Sequence, residues 1–111
     1  MSVKVETKNG VIICYAEGEI DINTSPSIKK SFDKLISSRT PKIIVNLTKV
    51  TYVDSSGLAT LVEILKNMRS YGGKLKLSNM SSKVKSLFEI TKLEKLFDIV
   101  ANEEDAISTF V

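Results

Sequence analysis

The chain has 111 residues, of which 42% are hydrophobic and 26% are charged. A chain of this length buries roughly two thirds of its unfolded surface, which is enough for one core, so residues 1–111 are expected to form one domain. The formal net charge is only +3, and basic residues alternate with acidic and apolar ones. This pattern argues against direct nucleic-acid binding, and it indicates that Lys29-Lys30 and Lys83-Val84-Lys85 are solvated helix faces.

The sequence has no histidine and one cysteine, which excludes most common hydrolase active sites. Ser-His-Asp hydrolysis and histidine zinc sites are excluded, and one cysteine can form neither an internal disulfide nor a Cys cluster. Cys14 lies in the apolar run 11–16, which indicates a core position. The sequence has no Walker loop and no G-x-G-x-x-G motif, so no cofactor and no metal are expected.

The N-terminal segment has no basic region followed by an apolar one. No run of residues reaches the ~18 apolar positions of a membrane-spanning helix. The sequence therefore predicts a soluble cytoplasmic protein without a membrane partner.

The first part of the chain predicts a hairpin and a helix. The β-rich runs 3–7 and 11–18 flank Lys8-Asn9-Gly10, and Asn-Gly favours a type I′ turn with positive φ at both central residues. Residues 23–27 then offer hydroxyl caps around Pro26, which suits the first helical turn, so a helix is predicted over 25–38.

The central part predicts a buried strand and a second helix. Pro41 closes the first helical region, and residues 43–47 are rich in branched side chains. Val50 and Val53 are expected to flank a short connection. An apolar stripe then predicts a helix over 56–71, which Gly72-Gly73 would end with positive φ.

The last part predicts two strands and two helices. Residues 74–78 alternate with period two and predict a strand, and residues 96–100 are predicted to form the final strand. Ser81-Ser82 and Asn102 are suited to cap the two helices. The residues expected to face inward from these helices are Val84, Leu87, Phe88, Ala106, Ile107 and Phe110. The order ββαβαβαβα predicts an α/β fold with a mixed, mostly parallel sheet and helices packed against it.

The segment Asp54-Ser55-Ser56-Gly57 joins the central strand region to the second helix. Free N–H groups and the positive end of the helix dipole make this position favourable for an anion, although an ordinary N-cap would also explain one or two of these residues. A nucleophilic serine needs a positioned base, and nearby carboxylates are weak bases toward an alcohol. Ser56 is therefore interpreted as a substrate, and no catalytic residue and no enzymatic activity are expected.

Two motifs in this element order resemble the STAS family, and within it the bacterial anti-sigma factor antagonists. The first is Val50-x-x-Val53 followed by Asp54-Ser55-Ser56-Gly57-Leu58, and the second is Gly18-Glu19-Ile20-Asp21. The resemblance covers essentially the whole chain.

The resemblance implies a regulatory cycle. The unphosphorylated antagonist would bind an anti-sigma factor that is also a serine kinase and so release a sigma factor, phosphorylation would end the complex, and a serine phosphatase would reset it. The acceptor by motif position is Ser56, with Ser55 as the alternative, and Asp21 and Asp54 fall on acidic positions near it. The free protein would be a monomer. The implied partner-binding residues are Asp21, Asn23, Asp54, Ser55, Ser56, Gly57 and Leu58.

Two other functions stay open at the sequence level. One is a STAS subunit of a transporter or of a multi-protein signalling complex. The other is a nucleotide-binding or hydrolysing enzyme that uses the same helix N-terminus for phosphate, which the lack of a base and of a phosphate loop disfavours.

Overall fold

A computed structural model describes residues 3–110 and shows one mixed five-stranded sheet. The strands lie in chain order across the sheet. The first pair is antiparallel and all other neighbours are parallel. The strands are β1 (Val3–Lys8), β2 (Val11–Ile20), β3 (Lys42–Val53), β4 (Lys74–Ser78) and β5 (Asp98–Val100). This arrangement confirms the predicted α/β fold and its element order.

Within residues 3–110, four α-helices connect or follow the strands, with one 3₁₀ turn before β5. They are α1 (Ser25–Ser37), α2 (Ser55–Arg69), α3 (Ser82–Ile90) and α4 (Glu103–Ser108), and the 3₁₀ turn is Leu93–Lys95. Side chains of Asp54, Ser81 and Asn102 accept hydrogen bonds from backbone N–H groups of α2, α3 and α4. Such caps satisfy donors that have no partner inside the helix. At α1, Thr24 stands at the cap position but its side chain makes no cap bond.

The predicted turns have the backbone geometry that their residues favour. Asn9 and Gly10 both have positive φ, at 52° and 76°, as the type I′ hairpin requires. Gly72 follows α2 with a φ of 81°. The solvated lysines of α1 and α3 are exposed, and Lys29 forms an ion pair with Glu63 at 2.8 Å.

Helices cover both faces of the sheet unequally. Helices α1, α2 and α3 pack on one face, where side chains such as Phe32, Leu61 and Phe88 form the larger core cluster. Cys14 is fully buried in that cluster, as predicted. Helix α4 alone covers part of the other face, where Ala106 and Phe110 pack in a smaller cluster. Among residues 3–110, none of the helices is long and apolar enough to cross a membrane.

Strand β3 corrects the sequence interpretation of the central region. Val50 and Val53 do not flank a connection, because both are buried within a strand that runs from Lys42 to Val53. The strand continues because β2 is also long and stays paired with it as far as Ile20 and Val53, with two shifts of register. Such irregularities let a polar stretch interrupt the alternation without ending the strand.

Strand β4 has the predicted bounds, 74–78, whereas β5 is shorter than the predicted 96–100. Lys76 is one of the polar residues in the period-two alternation of β4, yet it is only 6% exposed. Its ammonium group donates to the Thr109 hydroxyl, lies 3.4 Å from an Asp98 oxygen, and stands over the Phe110 ring at 4.6 Å. Strand β5 begins only at Asp98, because Leu93–Lys95 form the 3₁₀ turn before it.

Candidate functional site

Asp54 lies between the last residue of β3 and the first residue of α2. Its backbone is extended, with φ −99° and ψ −176°, and its N–H donates to the Ile20 carbonyl at 3.1 Å. Its Oδ1 atom accepts from the Gly57 N–H at 2.9 Å and so caps the helix. Helix α2 therefore begins at Ser55, one residue earlier than predicted, with both serines in its first turn.

The second carboxylate oxygen of Asp54 binds a different segment. Oδ2 accepts from the backbone N–H of Ile22 at 3.3 Å, in the loop between β2 and α1. One side chain thus holds this loop against the start of α2. The two sequence motifs lie side by side in the structure through this contact.

The loop between β2 and α1 is also held by its own side chains. Asp21 Oδ1 accepts from the N–H groups of Asn23 and Thr24, at 2.9 and 3.1 Å. The Thr24 hydroxyl donates to the Glu19 carbonyl at 2.7 Å. Asp21 is half-buried and Asn23 is exposed. The Asp21 carboxylate is therefore turned toward its own loop, which it shapes.

Gly57 lies where α2 meets the end of β2. An added Cβ would stand 2.3 Å from the Ile20 carbonyl oxygen and 2.8 Å from its Cγ2, so only glycine fits without a shift. The next residue, Leu58, is 8% exposed and packs in the larger core cluster. Gly57 and Leu58 therefore both face the interior of the domain, and the partner-binding role implied for them stays a prediction.

The two serines differ in their surroundings. Ser55 is exposed and Ser56 is half-buried. Within residues 3–110, neither hydroxyl makes a side-chain hydrogen bond, while the Ser56 carbonyl accepts from the Thr60 hydroxyl at 3.0 Å. A group added to either oxygen would meet the N-terminus of α2, where backbone N–H groups and the helix dipole favour negative charge.

The described cavities and clusters do not supply catalytic groups to these serines. A cavity of about 640 Å³ is lined by residues of β1, β2 and β3 such as Lys4, Tyr15 and Asn46, and neither serine is part of its lining. In the part of the chain from 3 to 110, no group of three His, Cys, Asp or Glu side chains is placed to hold a metal ion. The serines therefore stand on an open surface, which suits recognition by another protein.

Sequence analysis missed two exposed apolar side chains near this site. Ile22 is 69% exposed in the loop that Asp54 holds, and Tyr52, one residue before the end of β3, is 41% exposed. The Lys83 ammonium stands 5.8 Å from the centre of the Tyr52 ring. The sequence feature that could have indicated the exposure of Ile22 is its position as a large aliphatic residue between Asp21 and Asn23, in an otherwise polar loop segment.

The fold and site together define an α/β domain that presents hydroxyls at a capped helix N-terminus. The STAS domain family matches residues 2–106, and the chain belongs to this family. It is 33% identical over 110 residues to the anti-sigma-B factor antagonist of Bacillus subtilis, and the match covers 96% of this chain and 99% of that protein.

Solved structures show the same fold. A protein from Thermotoga maritima, proposed to be an anti-sigma factor antagonist, has a TM-score of 0.91 at 27% identity, with 96% of this chain and 92% of that chain covered. The Bacillus cell fate determinant SpoIIAA in its phosphorylated form has a TM-score of 0.75 at 21% identity, with 99% and 100% covered. At 21% identity, the similarity to SpoIIAA is a similarity of fold alone.

Proposed function

We propose that this protein is an anti-sigma factor antagonist and not an enzyme. Its unphosphorylated form binds an anti-sigma factor with serine kinase activity in the cytoplasm and so releases a sigma factor. The observation that carries the proposal is the Ser56 hydroxyl, half-buried and without a side-chain partner among residues 3–110, at the capped start of α2. The relationship to the Bacillus subtilis antagonist over nearly the full length of both chains supports it.

Phosphorylation of Ser56 switches the protein by local electrostatics. A phosphate adds about −1.5 to −2 charges and three strong acceptor oxygens. The helix N-terminus offsets roughly 0.3 to 2 kcal/mol of the repulsion from Asp54, so the domain itself tolerates the group. At an interface, however, the new charges must be desolvated next to existing carboxylates, and a loss of about 4 kcal/mol weakens binding roughly a thousandfold.

The chemistry of the transfer belongs to the partners. In the described part of the chain, both oxygens of Asp54 already accept backbone hydrogen bonds, and Asp21 accepts two within its loop. Both carboxylates therefore shape the backbone of this region, and we assign neither of them as a base for the Ser56 hydroxyl. The kinase supplies Mg²⁺, ATP and the proton acceptor, and a serine phosphatase restores the hydroxyl.

Intact-mass measurement with the cognate anti-sigma factor and ATP tests the proposal. The wild type gains one phosphate, Ser56→Ala gains none, and Ser55→Ala, the matched control at the adjacent hydroxyl, still gains one. If Ser56→Ala is fully phosphorylated and Ser55→Ala is not, the acceptor is Ser55. A wild type that neither binds the anti-sigma factor nor accepts phosphate would refute the function.

A further inference from the structure

We infer that Ile22 is an apolar anchor that inserts into the anti-sigma factor, and that Asp54 holds this anchor in fixed register with Ser56. The inference rests on the proposed function and adds to it a contact residue and a positioning residue. Its starting observation is an isoleucine that is 69% exposed in a loop directly bonded to the start of α2.

The loop that carries Ile22 is organised before any partner arrives. The Ile22 N–H is bound to Asp54 Oδ2, and the residues on either side are held by the Asp21 and Thr24 side chains. A side chain displayed on an ordered loop loses little further backbone freedom on binding, so more of its apolar burial contributes to affinity. The exposed position of Ile22 therefore has the properties of an interface anchor.

The charges around Ile22 define the chemistry of the surface it fits. Two acidic residues adjoin it, Asp21 in the chain and Asp54 through a hydrogen bond, and the exposed Glu19 precedes it by three residues. Lys83 stands over the ring of Tyr52, which precedes Asp54 by two residues. The complementary partner surface is an apolar recess bordered by basic side chains. A phosphate on Ser56 adds negative charge beyond what this basic border balances, and the excess must be desolvated in the complex.

Ile90 provides a matched control. It is also a largely exposed isoleucine, at 78%, but it ends α3. Because α3 connects the parallel strands β4 and β5, it begins at the carboxyl ends of the strands, on the side of Ser56, and runs toward their amino ends. Ile90 thus has the same side chain and similar exposure on the opposite side of the domain.

Titration of the full chain with the cognate anti-sigma factor tests the anchor. Ile22→Ala is expected to raise Kd at least tenfold, which corresponds to about 1.4 kcal/mol, and Ile90→Ala to change it less than twofold. Both variants should keep the wild-type Tm, because both side chains are exposed. If the wild type binds and Ile22→Ala binds within twofold of it, the anchor is refuted and the proposed function stands. If the wild type does not bind, both are refuted.

A double-mutant cycle tests the role of Asp54. Asp54→Ser keeps a side-chain oxygen for the Gly57 N–H but is too short to reach Ile22 as well. It should weaken binding at least fivefold in the wild type and less than twofold in the Ile22→Ala background, since its effect passes through Ile22. Equal losses in the two backgrounds would show that Asp54 contacts the partner directly and would overturn the positioning role.

Discussion

Gly57 and the carbonyl of Ile20 are in such close contact that a Cβ on Gly57 would lie 2.3 Å from the Ile20 oxygen. The same carbonyl accepts the Asp54 N–H at 3.1 Å. The end of β2 and the first turn of α2 are therefore packed backbone against backbone. This contact fixes where the two serines stand relative to the loop that follows β2.

Gly57→Ala should destabilise the domain despite the better helix propensity of alanine. Relief of the contact costs about 1–3 kcal/mol, against a propensity gain of about 1 kcal/mol, so we expect a net loss of up to about 2 kcal/mol in the free energy of unfolding. Urea unfolding measures it. Ala59→Gly, at an exposed position of the same helix, is the control for helix propensity. It should lower the free energy of unfolding by about 1 kcal/mol. A Gly57→Ala protein more stable than wild type would contradict the close contact.

Ser56→Asp should fold normally yet bind the anti-sigma factor at least tenfold more weakly. The added carboxylate meets the favourable end of the α2 dipole in the free protein but opposes Asp54 and desolvation in the complex. Calorimetric titration gives the affinity, and circular dichroism confirms the fold. Ser56→Asn, of the same size without the charge, is the control and should bind more tightly than Ser56→Asp. Equal affinities for the two variants would remove the electrostatic explanation.

Glu103 should make the attachment of α4 sensitive to acid. Burial alone would raise the pKa of its carboxyl, but the neighbouring Tyr15, Lys8 and Asn46 groups hold it below the ordinary value of 4.5. Its oxygens accept from Asn46 at 3.1 Å and from Lys8 at 2.9 Å. Because the pKa is lowered in the folded state, this stabilisation is present above pH 4.5 and is lost as the pH falls through the lower folded value.

Glu103→Gln should accordingly lower the free energy of unfolding by about 1 kcal/mol at pH 7, with the half-exposed Lys8 contact contributing little. The difference from wild type should shrink progressively below pH 4.5. Urea unfolding across this range measures it. Glu104→Gln, at an exposed acid in the same first turn, controls for the helix dipole. If the difference in unfolding free energy between wild type and Glu103→Gln stays constant with pH, the stabilisation does not depend on ionisation of Glu103.

Cys14 should be inert in the native protein. Burial raises the pKa of its thiol to about 12, so almost no thiolate is present at neutral pH. Labelling with a disulfide reagent should be at least about a hundredfold slower in native buffer than in concentrated urea, because it requires opening of β2. Thr7→Cys in a Cys14→Ala background offers an exposed thiol that reacts at once. Fast labelling of native wild type would contradict the burial.

Local signals were sufficient for much of the fold. The cap residues Asp54, Ser81 and Asn102 and the Asn9-Gly10 turn were predicted from their own chemistry, and each has the predicted geometry. The extension of β3 could not be predicted in this way. Thr48 and Lys49 are polar and exposed, and the strand passes through them only because β2 continues beside it.

The surroundings of single side chains were harder to predict. Lys76 is buried by Thr109 and Phe110, which lie more than thirty positions away in the chain and arrive only when α4 folds onto the sheet. The resemblance implies that Asp21 lies on the partner surface, and local chemistry did not predict that its Oδ1 atom accepts from the N–H groups of Asn23 and Thr24 in its own loop. Its role in partner binding stays a prediction. Whether Ser56 or Ser55 accepts phosphate stays a prediction.

The shared use of the Asp54 carboxylate has a consequence for local opening. The amide protons of Ile22 and Gly57 are protected by two oxygens of one side chain, although they belong to segments 35 positions apart in the sequence. Rotation of that carboxylate away from either segment exposes both amides to solvent. The two protons should therefore exchange with deuterium as a pair, and a phosphate on Ser56 that repels the Asp54 carboxylate would speed both together.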